Sequence, residues 1–220
     1  MNIGIIGAGR IGGGVAKQLA GAGHQVMLSF SRDQATLDAL AAQIGPSAST
    51  GSPADAVAFG EVLVISVPWS VLPLALEQAG SLDGKIVIDT TNQFGGPPLP
   101  AEGQTAAQFN AGRMPGARYT KSFNTLTSAF QAEAAGRRGQ DRVVQWLCGD
   151  DSGAKEIAAG LIEDAGFVPV DVGGTAGCAV MEAPRRPGAV YGEEYRLTDA
   201  QAVVDAVRAG RPIPAPPSYS

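Results

Sequence analysis

Short apolar segments alternate along the chain with longer stretches in which apolar residues recur at helical spacing. The first apolar segment, Asn2 to Ile6, precedes a stretch that carries Val15, Ala16 and Leu19 on one helical face. Strands that alternate with helices are typical of βαβ units, which build parallel sheets with helices on both faces. The pattern therefore predicts an α/β fold with a doubly wound, mostly parallel sheet.

The Gly, Pro and Asn residues that interrupt this pattern set the bounds of the predicted elements. We expect strands at Asn2–Ile6, Gln25–Phe30, Ser47–Thr50, Glu61–Val67, Lys85–Asp89, Arg118–Phe123, Val143–Cys148 and Val168–Val172. We expect helices at Ile11–Ala22, Asp33–Gln43, Pro53–Phe59, Trp69–Ala79, Thr105–Gly112 and Ser152–Ala165. The tail from Arg211 to Pro217 is rich in proline, which excludes a helix and predicts an extended strap or a mobile end.

Composition narrows the class of partner. The chain has 220 residues, of which 45% are hydrophobic and 17% charged, and this balance supports a buried globular core. Its 16 basic and 21 acidic residues give a net charge of −5, so we expect neither nucleic acid nor a membrane as partner. A small-molecule partner is favoured instead. With no secretion signal or long apolar run, the sequence predicts a cytoplasmic protein.

The cysteines and the single histidine offer little chemistry. Cys148 and Cys178 are too few and too far apart for a disulfide framework, and they match neither a CxxC pair nor a zinc signature. We expect no metal, a reducing compartment and packed thiols. Cys178 could lie near a site, but a nucleophilic role is not favoured without a histidine base. His24 follows the first predicted helix, and we interpret it as a turn residue.

A glycine-rich turn connects the first strand to the first helix. Gly7 permits the tight turn, Gly9 lets the backbone approach a pyrophosphate, and Gly12 lets helix and strand pack closely. The spacing GxGxxG in this context predicts a Rossmann dinucleotide-binding unit, in which Arg10 and Ile11 also contact the cofactor. The alternative is a glycine-rich turn that binds nothing.

The end of the second strand indicates which dinucleotide is bound. NAD-binding units carry an Asp or Glu there, which bonds the ribose 2′-OH and repels a 2′-phosphate. In this chain Ser29 and Ser31 can donate hydrogen bonds, and Arg32 supplies a permanent positive charge, so the site suits NADP(H). Asp33 is acidic, but we expect it to cap the next helix.

Further motifs follow the later strands. They are Val64-Ile65-Ser66-Val67-Pro68-Trp69, Ile88-Asp89-Thr90-Thr91-Asn92, Lys121-Ser122-Phe123-Asn124-Thr125, Cys148-Gly149-Asp150-Asp151 and Gly166-Phe167-Val168-Pro169-Val170-Asp171. Together with the glycine turn, these motifs resemble the NADPH-dependent reductases grouped with the F-420-dependent NADP oxidoreductases. That group also resembles the cytoplasmic reductase domain of the STEAP ferric reductases. The resemblance covers residues 1–174, whereas Met181 to Tyr195 departs from the C-terminus of the deazaflavin enzymes.

The resemblance implies roles for five residues at strand ends. Val67, Pro68 and Trp69 would border the path from adenosine to nicotinamide, and Asn92 and Asn124 would lie near the nicotinamide and orient it. Carboxyl ends of parallel strands are where doubly wound sheets bind ligands, which makes this placement physically reasonable. Ordinary packing of Trp69 and turn-forming roles for the two asparagines are the alternatives.

The resemblance also divides the chain. We expect an NADP-binding Rossmann domain at residues 1–174 and a short C-terminal extension at residues 175–220. The extension would close the pocket, with Arg185, Arg186 and Tyr191 holding an acidic ligand, or would contact a second subunit of a homodimer. A solvated surface extension is the alternative.

The hydride acceptor is the least determined part of the function. A ketone reductase needs a proton donor, and no YxxxK pattern or His–carboxylate pair is present, although Tyr119, Lys121, Tyr191 and Tyr195 are candidates. A flavin or deazaflavin (F-420) disperses the incoming charge itself, so the absence of an acid favours such an acceptor. Reduction of a small imine or carbonyl metabolite and a non-catalytic NADP(H)-binding redox sensor are the alternatives.

Overall fold

The fold is seen in a computed structural model that describes residues 1–31, 33–95, 99 and 101–219. Its strands are β1 (Asn2–Ile6), β2 (Gln25–Ser29), β3 (Ala48–Thr50), β4 (Val62–Ile65), β5 (Ile86–Asp89), β6 (Arg118–Lys121), β7 (Val144–Gly149) and β8 (Val168–Asp171). Its α-helices are α1 (Arg10–Gly21), α2 (Gln34–Ile44), α3 (Pro53–Phe59), α4 (Leu72–Ala79), α5 (Ala106–Gly112), α6 (Ser128–Ala134), α7 (Ser152–Asp164) and α8 (Leu197–Arg208). Across the described residues, no helix combines the length and the apolar character that a membrane crossing requires.

The strands form one eight-stranded sheet in the order β3-β2-β1-β4-β5-β6-β7-β8. The first six strands are parallel, and β7 pairs antiparallel to β6 through Thr120 opposite Gly149 and Lys121 opposite Cys148. Strand β8 runs parallel to β7, so both strands run in the direction opposite to that of the other six. The predicted α/β fold with a mostly parallel, doubly wound sheet is confirmed.

Helices cover both faces of the sheet because its central strands are apolar on both sides. Every residue of β4 and β5 is buried, and Ile3 and Ile5 of β1 face one layer while Ile6 faces the other. One layer contains α1, α2, α6 and α7, and the other contains α3, α4, α5 and α8. Continuous apolar strands are therefore sandwiched between two helical layers, as expected of a parallel sheet.

The structure contains two α-helices that the hydrophobic pattern did not predict, α6 and α8. Helix α8 buries Ala200, Val203, Val204 and Ala206 on one face, so its apolar residues do recur at helical spacing although this helix was not predicted. The predicted helix that starts at Trp69 begins instead as a 3-10 turn, and the α-helix starts at Leu72. Pro73 explains this boundary, since proline is accommodated in the first turn of an α-helix.

The segment after residue 174 shares the core of the sheet. Val144 of β7 donates its N–H to the carbonyl of Tyr195 at 2.8 Å, and the Tyr195 ring packs edge-on to Trp146 with centroids 5.2 Å apart. Near the end of the tail, the Tyr219 hydroxyl accepts from the Arg196 N–H and donates to Asp199. Residues 175–208 therefore complete one helical layer. The domain boundary at residue 174 stays a prediction.

The expectation that Cys148 and Cys178 are separate packed thiols is wrong for this structure. The two residues form a disulfide that joins β7 to the 3-10 segment Thr175–Met181, with their Cα atoms 6.0 Å apart. Separation along the chain gave no sign of this contact because the segment after β8 folds back across β7. Both cysteines are fully buried.

His24 lies between α1 and β2, as the turn interpretation expects. Its Nε2 lies 2.9 Å from Asp164 Oδ2 at the end of α7, and its Nδ1 lies 3.4 Å from the N-terminal amine of Met1. These contacts join elements at the amino edge of the first six strands, on the side opposite their carboxyl ends. His24 therefore links the ends of these elements to one another.

An ion pair links the sheet to α7 and generates a prediction about pH. Asp151 accepts two hydrogen bonds from Arg118, at 2.8 and 2.9 Å, and caps α7 through the Ala154 N–H. The Arg118 hydrogen bonds, followed by the Ala154 N–H, hold the pKa of Asp151 below its ordinary value. Because the folded-state pKa is depressed, the stability that Asp151 contributes is present above about pH 4 and is lost as the pH falls further.

We therefore expect the free energy of unfolding of the wild type to fall more steeply below about pH 4 than that of Asp151→Asn or Asp151→Ala. Asparagine still caps a helix, so Asp151→Asn should be the more stable variant at neutral pH. Urea unfolding between about pH 2 and pH 7 measures both effects. Parallel pH curves for all three proteins would contradict the assignment.

Candidate functional site

The glycine turn packs closely against the sheet at the carboxyl edge of the first six strands. Gly7 has a φ of +100°, and a Cβ there would lie 2.4 Å from the Ser66 carbonyl oxygen. A Cβ on Gly12 would lie 2.1 Å from the Gly7 carbonyl oxygen. By contrast, a Cβ on Gly9 would meet nothing within 4 Å. Gly7 and Gly12 are thus required by packing, whereas Gly9 faces open space in which a ligand can approach the backbone.

A cleft of about 450 Å³ opens beside this turn, where the strand order reverses on either side of β1. Eight of the predicted site residues line it: Gly9, Arg10, Ile11, Val67, Pro68, Trp69, Asn92 and Asn124. They follow β1, β4, β5 and β6, whose carboxyl ends meet at one edge of the sheet. Ligands of doubly wound sheets bind at this kind of switch point.

Asn92 and Asn124 form a hydrogen-bonded pair at the far end of the cleft. The Asn92 Nδ2 donates to the Asn124 carbonyl at 2.7 Å, and the Asn124 Nδ2 donates to Asn92 Oδ1 at 3.1 Å. Asn124 Oδ1 is buried and has no hydrogen-bond partner among the residues that the structure describes. Buried amide oxygens are normally paired, so this acceptor is available to a ligand donor.

The asparagine pair also holds the C-terminal segment against the cleft. Asn124 Nδ2 donates to the Met181 carbonyl at 2.7 Å, and the Ala183 N–H donates to Asn92 Oδ1 at 3.2 Å. Between them, the buried Glu182 accepts the N–H groups of Ala106 and Ala107 at the start of α5, at 2.9 and 2.7 Å. No short sequence motif relates Glu182 to a helix so distant along the chain, so this contact was not predicted.

The loop that carries Asn124 is supported from α6. Gln131 of this helix donates to the carbonyls of Phe123 and Leu126, at 3.1 and 2.9 Å, on either side of Asn124. Phe123 itself has a φ of +56°, a left-handed conformation that is strained for an aromatic residue. The loop geometry thus depends on a helix that the hydrophobic pattern did not predict.

The region expected to contact a 2′-phosphate lies after β2. The Ser29 hydroxyl is buried and donates to the Ile5 carbonyl at 2.9 Å, so it is committed to the sheet. Ser31 is exposed and accepts the Asp33 N–H at 3.3 Å. Asp33 caps α2 by accepting the Ala35 N–H at 3.0 Å, which confirms its predicted role. Arg32 lies outside the described residues.

Two of the four candidate proton donors are engaged behind the cleft. The Tyr119 hydroxyl donates to Asp89 Oδ2 at 2.6 Å, and the Lys121 Nζ lies 3.6 Å from the same oxygen and donates to the Thr91 carbonyl. All these side chains are buried, and burial, followed by the negative charge of Asp89, raises the pKa of Tyr119 well above its ordinary value. Tyr119, Lys121 and Asp89 support the β5 end but do not line the cleft.

Tyr191 is the one candidate of the four that lines the cleft. Its ring lies edge-on to Phe94, with centroids 6.1 Å apart, and Phe94 also lines the cleft. The other candidate, Tyr195, is buried against Trp146. Phe94 was not singled out from the sequence, since a lone aromatic residue in a loop carries no motif.

The sheet order, the glycine turn and the cleft at the switch point define the class of protein as a Rossmann dinucleotide-binding protein. Residues 2–93 match the family model described as NADP oxidoreductase, coenzyme F420-dependent. The N-terminal part of the chain therefore matches this family of NADP-dependent oxidoreductases, which confirms the resemblance seen in its motifs.

Three relatives extend the comparison. A hypothetical protein of Sinorhizobium meliloti is 30% identical, with a TM-score of 0.76, and the match covers 90% of this chain and 95% of that one. A protein of Arthrobacter sp., provisionally described as an F420-dependent NADP-reductase, is 25% identical with a TM-score of 0.66, covering 79% and 85%. Metalloreductase STEAP3 of Rattus norvegicus is 29% identical over 182 residues. The match covers 82% of this chain, which spans about a third (36%) of that curated relative.

The close contact at Gly12 can be tested by stability. We expect Gly12→Ala to lower the free energy of unfolding by about 1–3 kcal/mol, because α1 must move away from the Gly7 carbonyl. Gly14→Ala is the matched control in the same helix, since a Cβ there meets nothing within 4 Å. It should raise stability by about 0.5–1 kcal/mol. Denaturant unfolding measures both, and equal effects would show that the close approach is not required.

Proposed function

We propose that this protein binds NADP(H) at the glycine turn and transfers a hydride between it and a flavin, a deazaflavin such as F-420, or a similar redox acceptor. The observation that carries the proposal is the pairing of the open space at Gly9 with a cleft that contains eight of the predicted residues. A turn that served only packing would not need glycine at that position. The bound cofactor would supply the hydride.

The pyrophosphate would be held by the start of α1. This helix has 12 residues, begins directly after Gly9, and has no acidic residue in its first turn. Its first N–H groups have no partner within the helix, and the helix dipole favours an anion there. Arg10 lines the cleft at the same point and adds a positive charge. The chain thus offers both hydrogen-bond donors and favourable electrostatics to the phosphates.

The nicotinamide would be oriented by the asparagine pair. Asn124 Oδ1 is a buried acceptor without a partner among the described residues, and it suits the amide N–H of a carboxamide. Asn92 is fixed by three hydrogen bonds, to the Asn124 carbonyl, Asn124 Nδ2 and the Ala183 N–H. In this proposal Asn124 contacts the cofactor and Asn92 holds Asn124 in place.

Selection of NADP(H) over NAD(H) would depend on Ser31 and Arg32. The Ser29 hydroxyl donates to the Ile5 carbonyl, and Asp33 accepts the Ala35 N–H as the cap of α2. The proposed contact with the 2′-phosphate therefore needs neither residue. A guanidinium pairs well with a dianionic phosphate.

The side chains that line the cleft support a planar aromatic ring as the hydride acceptor. Apart from Gly9, Arg10 and the asparagine pair, the described lining residues have aromatic, aliphatic or hydroxyl-bearing side chains, and they include Trp69, Phe94, Phe123, Leu126 and Tyr191. Such a wall suits a planar ring that disperses the charge it receives and takes its proton from water. Tyr191 favours a second candidate, reduction of a small imine or carbonyl, because its hydroxyl could donate the proton that such a substrate needs.

In this proposal the C-terminal extension helps to close the cleft of its own chain. Tyr191 lines the cleft, and Met181 and Ala183 hydrogen-bond to the asparagine pair. We propose a homodimer only as an assembly in which the second chain adds residues to this cleft wall. Light scattering at working concentration measures whether the protein forms such a dimer.

Steady-state oxidation of NADPH with F-420, FMN, FAD, a ferric chelate and a panel of imines and ketones tests the proposal. We expect turnover with the isoalloxazine or deazaflavin acceptors and little with the others. Gly9→Val is the matched negative control, since its side chain would fill the space beside the turn while leaving the free energy of unfolding within about 1 kcal/mol of wild type. NADPH binding without turnover on any acceptor would favour a redox sensor instead.

The cofactor preference generates a separate prediction. We expect Arg32→Ala to raise the Kd for NADPH at least about tenfold, or about 1.4 kcal/mol, because a charge-assisted contact to the 2′-phosphate is lost. The Kd for NADH should change little. Fluorescence titration of wild type and variant with both cofactors measures the ratio, and equal effects would overturn the NADP(H) assignment.

A further inference from the structure

Two aromatic side chains stand at the mouth of the cleft, beyond the asparagine pair. Phe94 follows β5, and Tyr191 belongs to the C-terminal segment that departs from the resemblance. Their rings meet at an angle of 63° with centroids 6.1 Å apart. Phe94 is 60% exposed although it is a large apolar residue. An exposed aromatic surface that continues into a cleft is typical of a site that binds an apolar ligand.

The backbone around both rings is held in place before any ligand binds. The Val190 N–H donates to the Val180 carbonyl at 2.8 Å, and the Gly192 N–H donates to the Thr125 carbonyl at 2.8 Å, on either side of Tyr191. The Phe94 N–H donates to the Asn92 carbonyl at 2.9 Å. A fixed pair of rings loses little conformational freedom when a flat ligand stacks on it, which favours binding.

We infer that Phe94 and Tyr191 bind the planar heteroaromatic ring of the hydride acceptor, one through its ring face and the other through its edge because the two rings are inclined at 63°, and that this contact selects such acceptors over small carbonyl compounds. The inference rests on the proposed function, since it assumes that the acceptor enters the same cleft as the nicotinamide. Its chemical basis is stacking, in which an aromatic side chain offers a flat, polarisable face to any conjugated ring. Trp69 and Phe123 extend the aromatic wall inward.

In this inference the ring of Tyr191, and not its hydroxyl, binds the acceptor. Burial raises the pKa of Tyr191 above its ordinary value, so the hydroxyl holds its proton firmly at neutral pH. An isoalloxazine or deazaflavin needs no acid from the protein, because its conjugated ring disperses the added charge. Removing the hydroxyl should therefore matter much less than removing the ring.

Fluorescence titration with FMN in the presence of saturating NADP⁺ tests the inference without requiring turnover. We expect Tyr191→Leu and Phe94→Leu each to raise the Kd for FMN about tenfold, and Tyr191→Phe to leave it within about twofold. Leu197→Ala is the control for loss of an exposed apolar side chain, since Leu197 is 56% exposed and does not line the cleft. The Kd for NADPH should be unchanged in Leu197→Ala, and in the Phe94 and Tyr191 variants it should rise much less than the Kd for FMN.

Three results separate the inference from the proposed function. If Tyr191→Phe weakens FMN binding as much as Tyr191→Leu does, the hydroxyl is responsible and the inference is overturned. If the wild type binds NADPH but not FMN, the inference is again overturned while the cofactor site stands. If the wild type does not bind NADPH, the proposed function fails and the inference fails with it.

Discussion

The close approach of α1 to the ends of β1 and β4 is the constraint on which the cleft at the carboxyl edge of the first six strands depends. At Gly12 a single methyl group would lie 2.1 Å from the Gly7 carbonyl, and at Gly7 it would press on the Ser66 carbonyl. Only glycine at both positions lets the helix begin this near the sheet. Because it does, the helix N-terminus opens onto the same cleft as the ends of β4, β5 and β6, and Gly9 is left facing free space.

A second constraint acts at the other end of the cleft. Asn92 and Asn124 hold each other, and together they hold Met181 and Ala183, so the loops after β5 and β6 and the C-terminal segment share one hydrogen-bonded junction. Glu182, buried in the middle of that segment, secures it to α5. The nicotinamide end and the acceptor end of the proposed site are therefore mechanically coupled, since Tyr191 is carried by the chain that leaves this junction.

The Cys148–Cys178 disulfide and the buried Asp89 network support the same junction from behind. The disulfide joins β7 to the segment that leads into Met181, and Lys121 donates to the Thr91 carbonyl just before Asn92. Neither feature lines the cleft. They explain how a C-terminal segment with little helix of its own before α8 can present residues to the site in a defined geometry.

The sequence by itself determined the alternating architecture, the glycine turn and the strand ends that would meet at one edge. These follow from local patterns, because strand burial and turn geometry are set by residues close together in the chain. Only the tertiary structure decided the antiparallel entry of β7, the pairing of the cysteines, the commitment of Ser29 to the sheet, and the meeting of Phe94 with Tyr191. Each of these is a contact between distant segments, whose residue types are compatible with many neighbours until the packing of the whole chain selects one.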